Sequence, residues 1–492
     1  MLTSLGAGQT QNSLVNTSFD FIVNTNNIST GSSTNTQFRL PLVSNGTINF
    51  VVDWGDGTSD TITTFNQAQI THTYPSTGIY NIVITGTIRG WRFNNGGDRL
   101  KILNIRNWGT FNMTNDAAFL GCLNLNATAK DAPIISTTSL VNCFRNCRNF
   151  NGAIGNWDIK DVVSLENFLL IESPNAGKFN RYIGNWNTSK VVNMLNAFAN
   201  QTKFNQDIST KEVIVNGATY TAWDILNVTN MNFAFGIGAS VVGEGKFNQN
   251  IGNWNTSKVT NMQSMFSKQP EFNQDISTKM VTVNGVTYTA WDTLNVTNMS
   301  FMLDGRPSGN FNQNIGNWNT SKVTTMSIMF QFQLNFNQDI STKVVTVGDS
   351  TYTAWDTLNV TNMSFMFNSG SGNDGSFNQN INNWNTIKVT NMSDMFSNQK
   401  AFNQLIDNWN VSLVTAFNGT TPTSTGFMAG KTFEDYSSDN YDALLIGWSS
   451  RPVQPNLSIN FGTIKYSSAA IAARAILTSA PNNWTIVDGG EI

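Results

Sequence analysis

The sequence predicts a mainly β or α+β solenoid with β-hairpin insertions, preceded by a small β-sandwich. Three observations predict it. The words FNQNIGNWNTSKVTNM (247–262), FNQNIGNWNTSKVTTM (311–326) and FNQNINNWNTIKVTNM (377–392) are near copies of one another. Tryptophan recurs at 157, 186, 223, 254, 291, 318, 355, 384 and 409, with a shortest interval of 25 residues. A single unit of that length cannot bury its own apolar edge, so like units must stack.

Within one unit, Phe247, Ile251 and Trp254 fit a turn and a strand, and Thr256 or Ser257 is placed to cap a helical turn. Val259, Met262 and Phe266, with Met265 beside them, have the spacing of a short helix. The expected coil is therefore strand, turn, short helix and return. The Asn after each Phe (180, 205, 248, 273, 312, 337, 378 and 403) is expected to form a ladder, with inward amides satisfying turns inside each coil.

The 37-residue tryptophan intervals contain STKEVIVNGATYTA, STKMVTVNGVTYTA and STKVVTVGDSTYTA, each with two β-rich arms about NG or GD. These are hairpin signals. A second insertion site holds the dissimilar loops 236–245, 304–310 and 368–376. Variable loops on a rigid frame are where recognition is usually placed. The contact candidates are Tyr220, Tyr288 and Tyr352 on the hairpins, with Asp304, Arg306 and Asp374 on the loops. The competing expectation for the tyrosines is packing between hairpins. Carboxylates alternate with amides along the stack (Asp224, Asn255, Asp292; Asp207, Asn250, Asp275). That spacing keeps like charges out of adjacent coils.

Composition limits the function. Only 12% of the 492 residues are charged and the net charge is −3, yet there are 14 Trp and 33 Phe. So many aromatics with so little charge indicate an ordered chain. The balance offers no basic field for nucleic acid and no apolar run for membrane insertion. The N-terminal residues lack the pattern of a secretory signal. With one His and no nucleophile, P-loop or paired Cys motif, the chain is expected not to be an enzyme and to need no cofactor. A carboxylate-based polysaccharide-degrading enzyme is the third reading, after two binding roles.

The repeat words resemble those of BspA-like leucine-rich-repeat surface proteins over about 100–417, including AFLGCLNL (118–125) and CFRNCRNF (143–150). The resemblance implies a leucine-rich-repeat-like stack over 91–430, with Cys122 and Cys147 in buried slots and Cys143 nearby. A zinc site from three Cys and His72 is the weaker alternative. VVDWGDGTSD (51–60) and THTYPSTGIYNIVITG (71–86) resemble a polycystic-kidney-disease (PKD) type domain. That implies an Ig-like sandwich over 36–90, with His72 packing or bonding across it. Asp53, Asp56 and Asp60 make either a tight turn or a Ca²⁺ site. Residues 1–35 are left as an arm, linker or docking segment. NYDALLIGW (440–448) and 466–490 resemble the tail that closes such arrays, giving a cap over 431–492 with Tyr441, Leu444, Leu445 and Trp448 on one helix face and Ala470, Ala473, Ile476 and Leu477 on another.

The resemblance implies adhesion, with host-surface proteins or glycans as partners and an extracellular or cell-surface location. The alternative is a phage virion protein (decoration, fibre or spike) that attaches to the host and contacts other virion proteins through its N-terminal region.

Overall fold

The computed structural model describes residues 16–419 and 426–492. It is mainly β, and among the described residues no sheet closes into a barrel.

The first layer is a six-stranded sheet in the order Ser59–Ile62, Ile48–Asp53, Ile79–Ile88, Phe19–Asn24, Ile102–Asn107, Asn126–Ala127. The strands are β1 (Phe19–Asn24), β3 (Ile48–Asp53), β4 (Ser59–Ile62), β6 (Ile79–Ile88), β7 (Ile102–Asn107) and β9 (Asn126–Ala127). All neighbours are antiparallel except β7 and β9. A two-stranded antiparallel sheet, β2 (Gln37–Arg39) with β5 (Thr71–Thr73), lies outside it. The larger sheet reaches beyond 36–90 on both sides: β1 comes from the segment read as an arm, and β7 and β9 from the segment read as repeats. Phe19, Phe21 and Val23 of β1 are fully buried, because alternate residues of a strand face one side.

A buried ion pair ties this layer to the first repeats. Lys101 Nζ lies 3.2 Å from Asp98 Oδ1, and both side chains are almost wholly buried. The ammonium also donates to the carbonyls of Ser33, Thr34 and Gln37 and to Ser33 Oγ. Asp98 accepts from Ser33 N, Ser33 Oγ and Arg39 N. A buried charge is tolerable when it is so fully bonded.

The repeats stack in register. Single parallel bridges run from Ser139 through Ser164, Asn193, Asn230, Asn261, Asn298, Thr325, Asn362 and Asn391 to Ala416. Trp186, Trp223, Trp254, Trp291, Trp318, Trp355, Trp384 and Trp409 form one file, with successive ring centroids 6.0–6.4 Å apart and planes within 10°. That is offset stacking. Each indole N–H donates to an Ile carbonyl of the preceding repeat, as Trp291 does to Ile251 at 2.9 Å and Trp318 to Ile276 at 2.8 Å. A second file runs Phe204, Phe247, Phe272, Phe311, Phe336, Phe377, Phe402 at 5.9–6.1 Å.

The coil differs from the expected strand, turn and capped short helix. Among the described residues the repeats contain no helix, and the stretch from Phe247 to Trp254 is no strand. From Met262 to Lys268, alternate N–H groups donate forward to the next repeat: Met262 to Asn298 O, Ser264 to Ser300 O, Phe266 to Met302 O and Lys268 to Asp304 O. Groups committed to a neighbouring repeat cannot make bonds four residues back. Ser264 and Lys268 also sit at φ 55° and 60°, which breaks a right-handed helix. Short turns fill the intervals, such as Met265 N to Met262 O. Thr256 caps no helix: its hydroxyl donates to Asp292 O of the next repeat.

The asparagine ladder is present but runs between repeats. Asn248 Oδ1 accepts from Asn273 N at 3.0 Å and from Gln274 Nε2 at 2.8 Å, and the pattern recurs from Asn180 to Asn378. The carboxylates of Asp207, Asp275 and Asp339 pair with Lys211, Lys279 and Lys343, four residues on.

Two α-helices close the far end. α1 (Ser438–Ser449), capped by Ser437 Oγ, buries Tyr441, Leu444, Leu445 and Trp448. Trp448 Nε1 continues the indole pattern onto Ile406 O. α2 (Ile471–Thr478) buries Ala473 and Leu477, but Ile476 is 51% exposed, contrary to the face expected from spacing.

Candidate recognition surface

The three hairpins form where the sequence places them: Lys211–Val215 with Ala218–Ala222, Lys279–Val283 with Val286–Ala290, and Lys343–Val347 with Ser350–Ala354. Asn216 and Gly217, and Asn284 and Gly285, both have positive φ, as a type I′ turn requires. The third turn has a positive φ only at Gly348.

One face of each hairpin packs down. Val213, Val281 and Val345 pair with Tyr220, Tyr288 and Tyr352 and lie with them against the core. The phenol hydroxyls donate to the backbone carbonyls of Asn185, Asn253 and Asn317 in the preceding repeat. Burial raises the pKa of all three phenols, that of Tyr288 to about 12. The tyrosines thus fasten each hairpin to the stack, and the contact between hairpins is made elsewhere: Asn284 Nδ2 donates to Thr221 Oγ1 at 3.3 Å, and Met280 lies against Gly348.

The loop candidates do not converge on one site. Asp304 is fully buried and holds Arg306 Nε and Nη2 at 2.8 and 2.6 Å, with Ser267 Oγ at 3.0 Å. A carboxylate so enclosed secures the loop and offers no surface to a partner. Asp374 is exposed and pairs with Lys400 at 2.8 Å.

The outward face carries side chains that sequence reasoning overlooked. Ile214, Val286 and Val344 on the hairpins are 71%, 62% and 73% exposed, and Val242 in the loop 236–245 is 83% exposed. The alternation of the first arms held part of the signal: Ile214 and Val344 each lie between two residues that face inward. Threonines surround these aliphatics, including the pairs Thr282–Thr287 and Thr346–Thr351 with hydroxyls 2.8 and 2.9 Å apart.

The remaining candidates are accounted for by packing and turns. His72 Nε2 lies 2.8 Å from Asp56 Oδ2, and its ring stacks on Trp54 at 4.8 Å. Asp53 accepts from Gly55 N, Asp56 from Thr58 and Asp60 from Trp54 Nε1. Cys122, Cys143 and Cys147 are buried free thiols. Burial holds the Cys122 and Cys143 thiols well above the usual range. Among the described residues no group of three His, Cys, Asp or Glu side chains could hold a metal ion. Among the described residues no helix is long and apolar enough to cross a membrane.

These features define a β-rich tandem-repeat protein whose interior files are filled by structure and whose insertions face outward. The family described as Mycoplasma protein of unknown function, DUF285, matches residues 93–210, 138–236, 211–287, 278–367 and 343–432. Together these five overlapping segments cover more than half of the chain, which belongs to that family. No curated protein and no solved structure matches it.

Proposed function

We propose that the protein is a non-enzymatic, surface-exposed adhesion protein: a BspA-like leucine-rich-repeat solenoid, with a PKD-like first layer, that presents hairpins and loops to host-surface proteins or glycans. One observation carries this reading: of the six most exposed large hydrophobic side chains among the described residues, four, Ile214, Val242, Val286 and Val344, lie on insertions into the repeat. Scattered exposed aliphatics need no explanation, but their recurrence on insertions into a rigid frame fits a partner-binding face. The flanking threonine hydroxyls suit polar partners.

The test is binding of the purified chain to epithelial cell surfaces and to an immobilised glycan panel. The comparison is a variant whose three hairpins are replaced by the short connection of the hairpin-free repeats. Binding that is lost while the thermal transition is kept supports the proposal. Equal binding by both proteins overturns it.

A further inference from the structure

A cleft of about 510 Å³ opens between the first layer and the start of the repeats, with Arg39, Arg92, Ser32, Gln37 and Thr71 on its walls. We propose that it binds an acidic saccharide, a sugar carrying a carboxylate or a sulfate ester. The site is independent of the hairpin surface and stands whether or not the hairpins bind a partner.

The backbone fixes both arginines. Arg39 ends β2, pairs with Thr71 in register and donates its N–H to Asp98 Oδ2 at 2.6 Å. Arg92 N donates to Pro41 O at 2.8 Å. Their side chains are exposed. Among the described residues, neither guanidinium has a carboxylate within ion-pair distance. Arg106, Arg145, Arg306 and Arg474, by contrast, each have one.

The nearest acid does not cancel them. Asp98 lines the cleft but is 2% exposed, and its charge is already met by Lys101 at 3.2 Å and by the donors on Ser33. Two positive charges therefore face the cleft without counterions. Arg99, whose Nη1 donates to Ser29 Oγ at 3.0 Å, adds a third nearby.

The chemistry of the walls selects the ligand. A guanidinium presents a planar fork of donors that matches a carboxylate or sulfate. Ser32, Gln37 and Thr71 supply neutral donors and acceptors for sugar hydroxyls. Gly31 and Gly97 border the cleft at φ 81° and 54°, and nothing lies within 4 Å of where a side chain would begin. A ring can therefore approach the backbone closely. The volume admits one or two sugar rings, and the chain's net charge of −3 leaves no wider basic field for a polyanion such as nucleic acid.

The experiment is calorimetric titration of the full chain at low salt with glucuronate, glucose 6-sulfate, glucose and inorganic sulfate. Saturable binding of glucuronate or glucose 6-sulfate, at least tenfold tighter than glucose or free sulfate, is expected. The R39Q/R92Q variant should weaken it at least tenfold. Both side chains are exposed, so that variant should keep the wild-type thermal transition, and R92Q alone provides a second, milder test with a loss of about threefold or more. Four results would each overturn the proposal: no saturable binding of either acidic sugar, equal binding of glucose, equal binding of bare sulfate, or undiminished binding by both variants.

Discussion

Replacing Trp291 by Phe isolates what one indole contributes to the stack. The ring is fully buried between Trp254 and Trp318, with centroids at 6.4 and 6.3 Å, and its N–H donates to Ile251 O at 2.9 Å. Phe keeps a stackable ring but removes the donor and part of the volume. Losing the hydrogen bond costs about 1 kcal/mol, since Ile251 O still accepts from Trp254 N. The missing volume adds about 1–3 kcal/mol, below the cost of truncation to Ala. The total is about 2–4 kcal/mol, read as a lower guanidinium midpoint at unchanged slope. Trp157 is the internal control: its ring is buried but its N–H has no partner. Trp157→Phe removes an orphaned donor, which is worth about 1–3 kcal/mol, and so offsets the cavity. The difference between the two variants should be at least about 1.5 kcal/mol. If Trp157→Phe proves as costly as Trp291→Phe, the indole bonds do not stabilise the stack and the reasoning fails.

Further outcomes follow from single side chains. Lys101→Met leaves Asp98 charged and buried, and should cost about 3–5 kcal/mol in chemical denaturation. Tyr288→Phe frees the second hairpin from Asn253 O and should cost about 1 kcal/mol, with protease cleavage rising in 279–290 alone. Burial lowers the pKa of Lys431 to about 7, while its ammonium sits on the carbonyls of Gln399 and Lys400. The unfolded chain then holds more protons than the folded one between pH 7 and the ordinary lysine value. Stability should therefore rise with pH through that window, by up to a few kcal/mol, and Lys431→Met should flatten the slope.

Much of this architecture is legible in the repeats. Tryptophan and phenylalanine spacing marks the two aromatic files, and NG or GD between β-rich arms marks the hairpins. The expected helix is absent because Val259, Met262 and Phe266 at intervals of three and four also suit a run of tight turns bonded to the next repeat. Only the positive φ at positions such as Ser264, Phe301 and Ile328 separates the two, and residues so seldom found there give no local cue. β1 is a different miss: Phe19, Phe21 and Val23 put apolar residues on one face, but the strand sits in an Asn- and Ser-rich segment that masks it. Tyr220, Tyr288 and Tyr352 occupy equivalent hairpin positions, as the repeated words imply. Their hydroxyls, however, meet backbone carbonyls about thirty-five residues away in sequence. No spacing rule encodes such contacts.

The most direct test of the central claim, that interchangeable repeats stack in one register, is thermal unfolding of a chain lacking residues 247–310. The deletion joins Lys246 to Phe311, so Phe311 should stack on Phe204 and Asn312 N should meet Asn205 Oδ1 as Asn248 N does at 2.9 Å. A folded protein with a cooperative transition close to that of the full chain is expected. An unfolded or aggregated product, or loss of the transition, would contradict it.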